Sequence, residues 1–276
     1  MFEIIQAIVL GIVQGLTEFI PVSSSAHLVI VPWLLGWQHQ SLLFDTVLHW
    51  GTLISILAVF WRNLWAIFVA TLASLARRSL ADPNARLGWY IVVGSIPAAT
   101  TGFLFKDFFE GLFGSPFAVG CFLLLTAGLL TLSELIAQRR RSINDLRMMG
   151  WGQAIFIGLA QAVALAPGIS RSGSTMAAGL STGLRREEAA RFSFLLGSPI
   201  FFGAALLQLI DSLETDVAEV MAQLPELVVG MVVSALVGYL AITGLLNYLR
   251  SRSLYVFAVY CLVVGLLVIG LSLIGW

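Results

Sequence analysis

The sequence predicts an all-α polytopic membrane protein, with six transmembrane helices plus two re-entrant helix pairs in an inverted-topology repeat. Three observations carry this. Of 276 residues, 59% are hydrophobic and only 11% charged, against about a quarter charged in soluble domains. Six apolar runs reach the roughly 20 residues that a bilayer core demands. Two further apolar stretches are interrupted at their centres by proline and hydroxyl-rich clusters. The formal net charge is +0 and by itself says nothing of nucleic acid, so charge is read connection by connection; no nucleic-acid partner is expected.

Taken in order, the first interrupted stretch runs over 4–36 and breaks at PVSSSAH, 21–27. Each half is too short to cross alone, and the proline ends one helix before a second begins. The N-terminal segment carries Glu3 and no basic cluster, so it does not read as a cleaved signal. Spans are expected over 42–61, 89–105 and 117–137. The second interrupted stretch runs over 153–184 and breaks at PGISRSGST, 167–175. Spans over 192–210, 227–249 and 255–275 complete the chain. Broken backbone at membrane depth is tolerated only where protein or a polar cavity covers it, so both interrupted stretches read as re-entrant pairs. LWAIFVATLASLA, 64–76, is apolar but short and is expected to lie at the cytoplasmic interface. Cys121 and Cys261 lie in apolar runs and read as small packing residues.

Arginine sets the orientation. Arg62, Arg77, Arg78 and Arg86 fall in one connection, and Arg139, Arg140, Arg141 and Arg147 in another. Arg185, Arg186 and Arg191 precede the fourth span, and Arg250 and Arg252 follow the fifth. The alternate connections hold Lys106, Asp107 and Glu110, or Asp211, Glu214, Asp216, Glu219 and Glu226. Six spans put every arginine-rich connection on one side, the cytoplasm, and both termini outside. QAIVLGIVQ (6–14) and QAIFIGLAQ (153–161) agree at five of nine positions. Each leads into a break followed by three spans, so the second copy enters from the opposite side. The chain therefore reads as one membrane domain, 1–276, with repeat halves of about 1–140 and 150–276, whose polar tips meet near the midplane.

The tips carry the chemistry. Gln14 and Glu18 are four apart and share a helix face. Ser23, Ser24, Ser25 and His27 follow Pro21. Ser170, Arg171, Ser172, Ser174 and Thr175 make up the second tip. Each break starts a new half-helix, which Ser23 or Ser24, and Ser170 or Ser172, can cap. Two helix N-termini and a planar guanidinium describe a site for a strongly anionic group, phosphate or diphosphate above all. Ionisable groups at membrane depth point to function, although Glu18 and Arg171 also suit a structural ion pair. His49, near Asp45, is a weaker candidate for the cavity lining. His39 reads as an outer-loop residue, and GIVQG (11–15) as a small-residue packing seam.

These motifs resemble those of the undecaprenyl-diphosphate phosphatase, or bacitracin-resistance, family. QGLTE carries its (E/Q)-x-x-x-E pattern, with Gln14 where many members have glutamate. FIPVSSSAHL places Ser24 and His27 at functional positions, with Ala26 for a frequent glycine. PGISRSGST meets P-G-x-S-R-S-x-x-T in full, and FDTVLHWGTL, FWRN and FSFLLGSP extend the likeness along the chain. The resemblance implies an inner-membrane enzyme that hydrolyses undecaprenyl diphosphate to undecaprenyl phosphate and inorganic phosphate. That reaction recycles the lipid carrier of peptidoglycan synthesis and confers bacitracin resistance. It also implies a divalent cation, Mg²⁺ or Ca²⁺, and a site facing the periplasm; a homodimer is left open. On this reading Arg171, with Ser170, Ser172, Thr175 and Ser25, holds phosphate, and Glu18 with Gln14 positions the metal. Ser24 activated by His27 is the preferred nucleophile. His27 attacking directly, or activating water, stays open, as does a transporter or flippase of an anionic prenyl lipid.

Overall fold

The computed structural model describes residues 2–38, 41–105, 108, 115–139, 145–215 and 217–275. His39, Lys106, Asp107, Glu110, Arg140, Arg141 and Asp216 lie outside the described residues. Within them the chain forms eleven α-helices and one short 3₁₀ turn.

Sequence breaks set the helix ends. Helix α1 (Phe2–Phe19) stops just before Pro21, and α2 (Ser24–Leu35) begins behind Ser23, whose side chain accepts from Ala26 N. Gly36 closes α2 in the left-handed conformation, at φ 64°, which glycine adopts without a Cβ penalty. Helix α3 (Leu42–Arg77) is 36 residues long. The segment expected as a separate interfacial piece, 64–76, is the continuation of this helix, because no glycine or proline interrupts 61–77. Asp82 and Ser115 cap α4 (Pro83–Leu104) and α5 (Pro116–Ala137), each with proline in the first turn, where its missing N–H costs nothing. After the 3₁₀ turn (Leu146–Met148) come α6 (Trp151–Val163) and α7 (Arg171–Ser181), separated by the second break. The chain ends in α8 (Arg186–Thr215), α9 (Val217–Ala222), α10 (Leu224–Leu249) and α11 (Tyr255–Leu273).

Among the described residues, five helices are long and apolar enough to cross a membrane: α3, α4, α5, α10 and α11. The remaining expected span, 192–210, lies inside the 30-residue α8. The chain is a multi-pass membrane protein.

Small residues set the tightest crossings. A Cβ on Gly11 of α1 would meet the Gly230 carbonyl of α10 at 2.8 Å. One on Gly158 of α6 would meet the Gly94 carbonyl of α4 at 2.3 Å. These two glycines occupy the same position in the two copies of the nine-residue repeat. Gly120 and Gly265 bring α5 and α11 together in the same way.

Each tip is also held by a helix from the other half. Thr126 of α5 donates to Gly168 O and accepts from Ser170 N, at 3.3 and 3.1 Å. Tyr260 of α11 meets His27 at 2.8 Å, and Cys261 packs against Pro21 O.

Two ends of the molecule are distinct. At one, the start of α1, the end of α2, the start of α3 and the start of α10 surround a cleft lined by Glu3, Trp37, Ser41 and Glu226. The other is tied by the fully buried Glu134. It accepts from Arg186 Nε and Nη2 at 2.8 and 2.5 Å and from Leu254 N at 2.7 Å, joining α5, α8 and the entry to α11. Beside it, Glu187 accepts from Arg191 at 2.8 Å and Arg250 at 3.4 Å. Partial burial raises the Glu187 pKa, but the Arg191 hydrogen bond and the charges of both arginines outweigh it and hold the carboxyl below its ordinary range.

Candidate active site

The two tips meet. Glu18, on the last turn of α1 and 4% exposed, is the hub between them. Its Oε2 accepts from Gln14 Nε2 at 3.0 Å and from Ser24 Oγ at 2.6 Å. Its Oε1 accepts from Arg171 Nη2 at 2.8 Å. A carboxylate this buried persists because Gln14, Ser24 and Arg171 all donate to it. His49 of α3 brings Nε2 to 3.5 Å from Oε2. Its Nδ1 donates to Asp45 O at 2.7 Å, which fixes the tautomer when the ring is neutral and turns the Nε2 lone pair toward Glu18.

Arg171 opens α7. Nη1 donates to Ser193 O at 3.0 Å, and the guanidinium carbon stands 4.2 Å from the Phe201 ring centroid. The group fits there because residue 197 is glycine: a Cβ at that position would fall 2.2 Å from Nη1. Nε is buried and has no partner among the described residues.

These groups line a cavity of about 160 Å³, walled by both tips, α3, α6 and α8. That volume holds several waters or a small hydrated headgroup. Ser24, Ser25, Ser170 and Ser172 all line it. Ser25 Oγ also accepts from Gly168 N at 3.3 Å, directly linking the tips. Ser170 caps α7, its Oγ accepting from Gly173 N at 3.0 Å.

Three sequence-predicted residues do not line the cavity: Gln14, which stands behind Glu18 and bonds it, Thr175 and His27. Thr175 is one turn into α7, and its hydroxyl contacts Arg171 O at 2.8 Å and Ser193 Oγ at 2.6 Å. It fastens α7 to α8 instead of lining the cavity. His27 is likewise not brought to Ser24. Its Nδ1 faces the Ser23 carbonyl at 2.7 Å and so must donate, leaving Nε2 to accept from Tyr260 O–H. A neutral His27 therefore has no nitrogen left to take the Ser24 proton. What it holds is Ser23, a non-glycine residue at φ 72°, a conformation that needs local support. The pairing expected of Ser24 and His27 is in this structure a pairing of Ser24 with Glu18.

Among the cavity-lining residues not singled out from the sequence are Gly197, Phe201 and Gln161. Gly197 lies in FSFLLGSP, marked only by the family likeness, Phe201 sits in an apolar run, and Gln161 ends the second repeat copy. Its signal was there to find, since Gln161 occupies the place that Gln14 takes in the first copy.

Among the described residues no three His, Cys, Asp or Glu side chains gather as a metal cluster. Glu18 is the one carboxylate among the described cavity-lining residues. Gln14 Oε1 is a buried acceptor with no partner among the described residues, next to the Glu18 carboxylate. Mg²⁺ is commonly bound through one or two carboxylates plus substrate phosphates.

The chain resembles curated undecaprenyl-diphosphatases over nearly its whole length. The protein so named from Pelotomaculum thermopropionicum is 44% identical over 263 residues, covering 95% of this chain and 94% of its own. That from Methanosphaera stadtmanae is 43% identical over 99% of this chain and 100% of its own. That from Rubrobacter xylanophilus is 45% identical over 94% and 95%. The family model described as bacitracin resistance protein BacA matches residues 7–267. With Glu18, Ser24 and Arg171 meeting between the tips and this likeness spanning both halves, the chain belongs to the bacitracin resistance protein BacA family.

Proposed function

We propose that this protein hydrolyses undecaprenyl diphosphate to undecaprenyl phosphate and inorganic phosphate in a bacterial plasma membrane, with its site open to the periplasm. The observation that carries the reading is the 2.6 Å hydrogen bond from Ser24 to Glu18, with Arg171 beside them in the wall of the same cavity. A clamp for transport needs the arginine; it does not need a hydroxyl bonded to a carboxylate. The relatives' names and the family point the same way.

The chemistry follows from what each group can do. Phosphoryl transfer is chiefly positioning and charge neutralisation. The unpartnered Arg171 Nε is a donor for an oxygen of the terminal phosphoryl group. A bound phosphate also competes with Glu18 for Nη2, and that loosens the ion pair and raises the basicity of the carboxylate. Glu18 Oε2 then takes the Ser24 proton as Oγ attacks the terminal phosphorus. The bond from that phosphorus to the bridging oxygen breaks, and undecaprenyl phosphate leaves with the bond's electron pair. His49 Nε2, next to the same carboxylate oxygen, shares the proton. The proton taken from Ser24 leaves with the undecaprenyl phosphate, which frees the Glu18 carboxylate. Water then attacks the phosphoserine phosphorus and gives a proton to Glu18. The bond from phosphorus to Ser24 Oγ breaks with its electron pair on Oγ, and Glu18 returns the proton to Oγ as inorganic phosphate is released. Ser25, Ser170 and Ser172 orient the headgroup from the cavity wall. Glu18 and Gln14 Oε1 are the residues for a Mg²⁺ or Ca²⁺ ion, which when bound neutralises charge on the diphosphate. His27 supports the tip that presents Ser24.

Phosphate release from farnesyl or undecaprenyl diphosphate by the purified protein with Mg²⁺ tests this. Arg171→Lys should lose about 100-fold or more, because a point charge cannot reproduce the planar fork. A folded wild-type protein that releases no phosphate would overturn the enzymatic reading.

A further inference from the structure

Among the described cavity-wall residues, Gln161 is an amide to which the site described so far gives no role. Gln161, on the last full turn of α6, lines the cavity beside Glu18, Ser24 and Arg171. It is 1% exposed. Both of its amide heteroatoms, Nε2 and Oε1, are buried without a partner among the described residues. An amide in this position is costly, since each unmet donor or acceptor forfeits its solvation, and nearly all such groups in folded proteins are satisfied. Its counterpart in the first repeat copy, Gln14, bonds Glu18 through Nε2 at 3.0 Å. Gln161 has no carboxylate four residues on, because that place is Leu165. Its polar end is therefore left to something that enters the cavity.

We infer that Gln161 is a substrate-binding residue, donating from Nε2 to a phosphoryl oxygen of the diphosphate headgroup while Oε1 accepts from water that accompanies it. This rests on the cavity being the diphosphate site. Arg171 and Gln161 then grip the headgroup from α7 and α6, while Glu18 and Ser24 stand on the first tip. An amide suits this wall better than a second cation. It donates to phosphate without adding charge beside Arg171, and it does not compete with Arg171 for Glu18.

The test compares wild type, Gln161→Leu and Gln161→Glu as purified full-length proteins with Mg²⁺. Inorganic pyrophosphate serves as the headgroup probe, read as binding by calorimetry and as inhibition of farnesyl diphosphate hydrolysis. Loss of a hydrogen bond to a charged group predicts about 10- to 100-fold weaker pyrophosphate binding for Gln161→Leu. Gln161→Glu, which adds negative charge to the wall, should bind more weakly still. Thermal unfolding without ligand separates binding from structure. Replacing an unsatisfied buried amide with an apolar side chain of similar size should leave the unliganded melting temperature unchanged or higher. Pyrophosphate affinity unchanged in Gln161→Leu, with wild type binding and turning over normally, overturns the inference and leaves the enzymatic reading standing. A drop of several degrees in the unliganded Gln161→Leu protein also overturns it, by showing that the amide holds the fold. Wild-type protein that neither binds pyrophosphate nor releases phosphate overturns both.

Discussion

Gly197 decides where the Arg171 guanidinium can lie. The ring of Phe201, the Ser193 carbonyl and the Glu18 carboxylate fix three sides of that group, and the α8 backbone at residue 197 is the fourth. Gly197→Ala would set a methyl 2.2 Å from Nη1, so the fork must leave its plane. Displacement by about an ångström at a reacting centre costs on the order of 100-fold in rate. We expect a loss of that size in phosphate release with the melting temperature held within a few degrees; near-normal turnover would show that the guanidinium works from another position. His27 gives a second prediction at this scale. Its two nitrogens are spent on Ser23 and Tyr260, so His27 and Tyr260 should behave as one unit. Tyr260→Phe should lower kcat by roughly three- to tenfold, consistent with one hydrogen bond. His27→Ala should lower it further, and the double variant should be no worse than His27→Ala alone. Multiplying defects would argue that His27 acts on substrate by itself. The sequence made Glu18, Ser24 and Arg171 conspicuous because polar groups are expensive in lipid. It did not fix side-chain direction at His27 and Thr175, since a half-helix tip has no regular face from which to read it. Gln161 escaped notice because an uncharged amide at the end of an apolar run carries no electrostatic signal.

At the scale of single elements, the breaks were legible and the helix lengths less so. Proline followed by capping hydroxyls marks both tips, and Ser23 and Ser170 do cap α2 and α7. The extent of α3 was hidden, because Arg62 and Asn63 interrupt the apolar run while nothing there stops helix propagation. The repeat glycines lead to a test. Gly158 lies so close to α4 that a Cβ would meet the Gly94 carbonyl at 2.3 Å, whereas one on Gly152, near the start of α6, would meet nothing within 4 Å. Gly158→Ala forces two backbones apart, at a cost of about 1–3 kcal/mol by analogy with overpacked cores. Because α6 also carries Gln161, the substrate KM should rise. Gly152→Ala should be neutral or stabilising by up to about 1 kcal/mol, since alanine is the better helix former. Thermal unfolding in detergent reads both, and equal effects at the two positions would mean that the crossing is not tight.

At the scale of the whole molecule, charge is sorted along the chain, and the fold gathers what the sequence sorts. Arg186, Arg191 and Arg250 meet around Glu134 and Glu187 at one end, while Glu3 and Glu226 share a cleft at the other. Arginine is retained on the cytoplasmic side during insertion, so the orientation proposed for the chain puts the Glu134 end inside the cell. Helix α3 supplies the ruler. Its 36 residues run for about 54 Å at 1.5 Å each, well beyond a hydrocarbon core of roughly 30 Å. Its two ends must therefore reach opposite surfaces. Gln38, just before α3, and Ala81, just after it, are both exposed. With Cys121 and Cys261 replaced by alanine, Gln38→Cys should react with a membrane-impermeant maleimide in cells whose inner membrane is intact. Ala81→Cys should react only after that membrane is opened. The reverse pattern would turn the molecule over and place undecaprenyl diphosphate hydrolysis on the cytoplasmic side. Labelling of both positions from outside would mean that the arginine sorting does not set a single orientation.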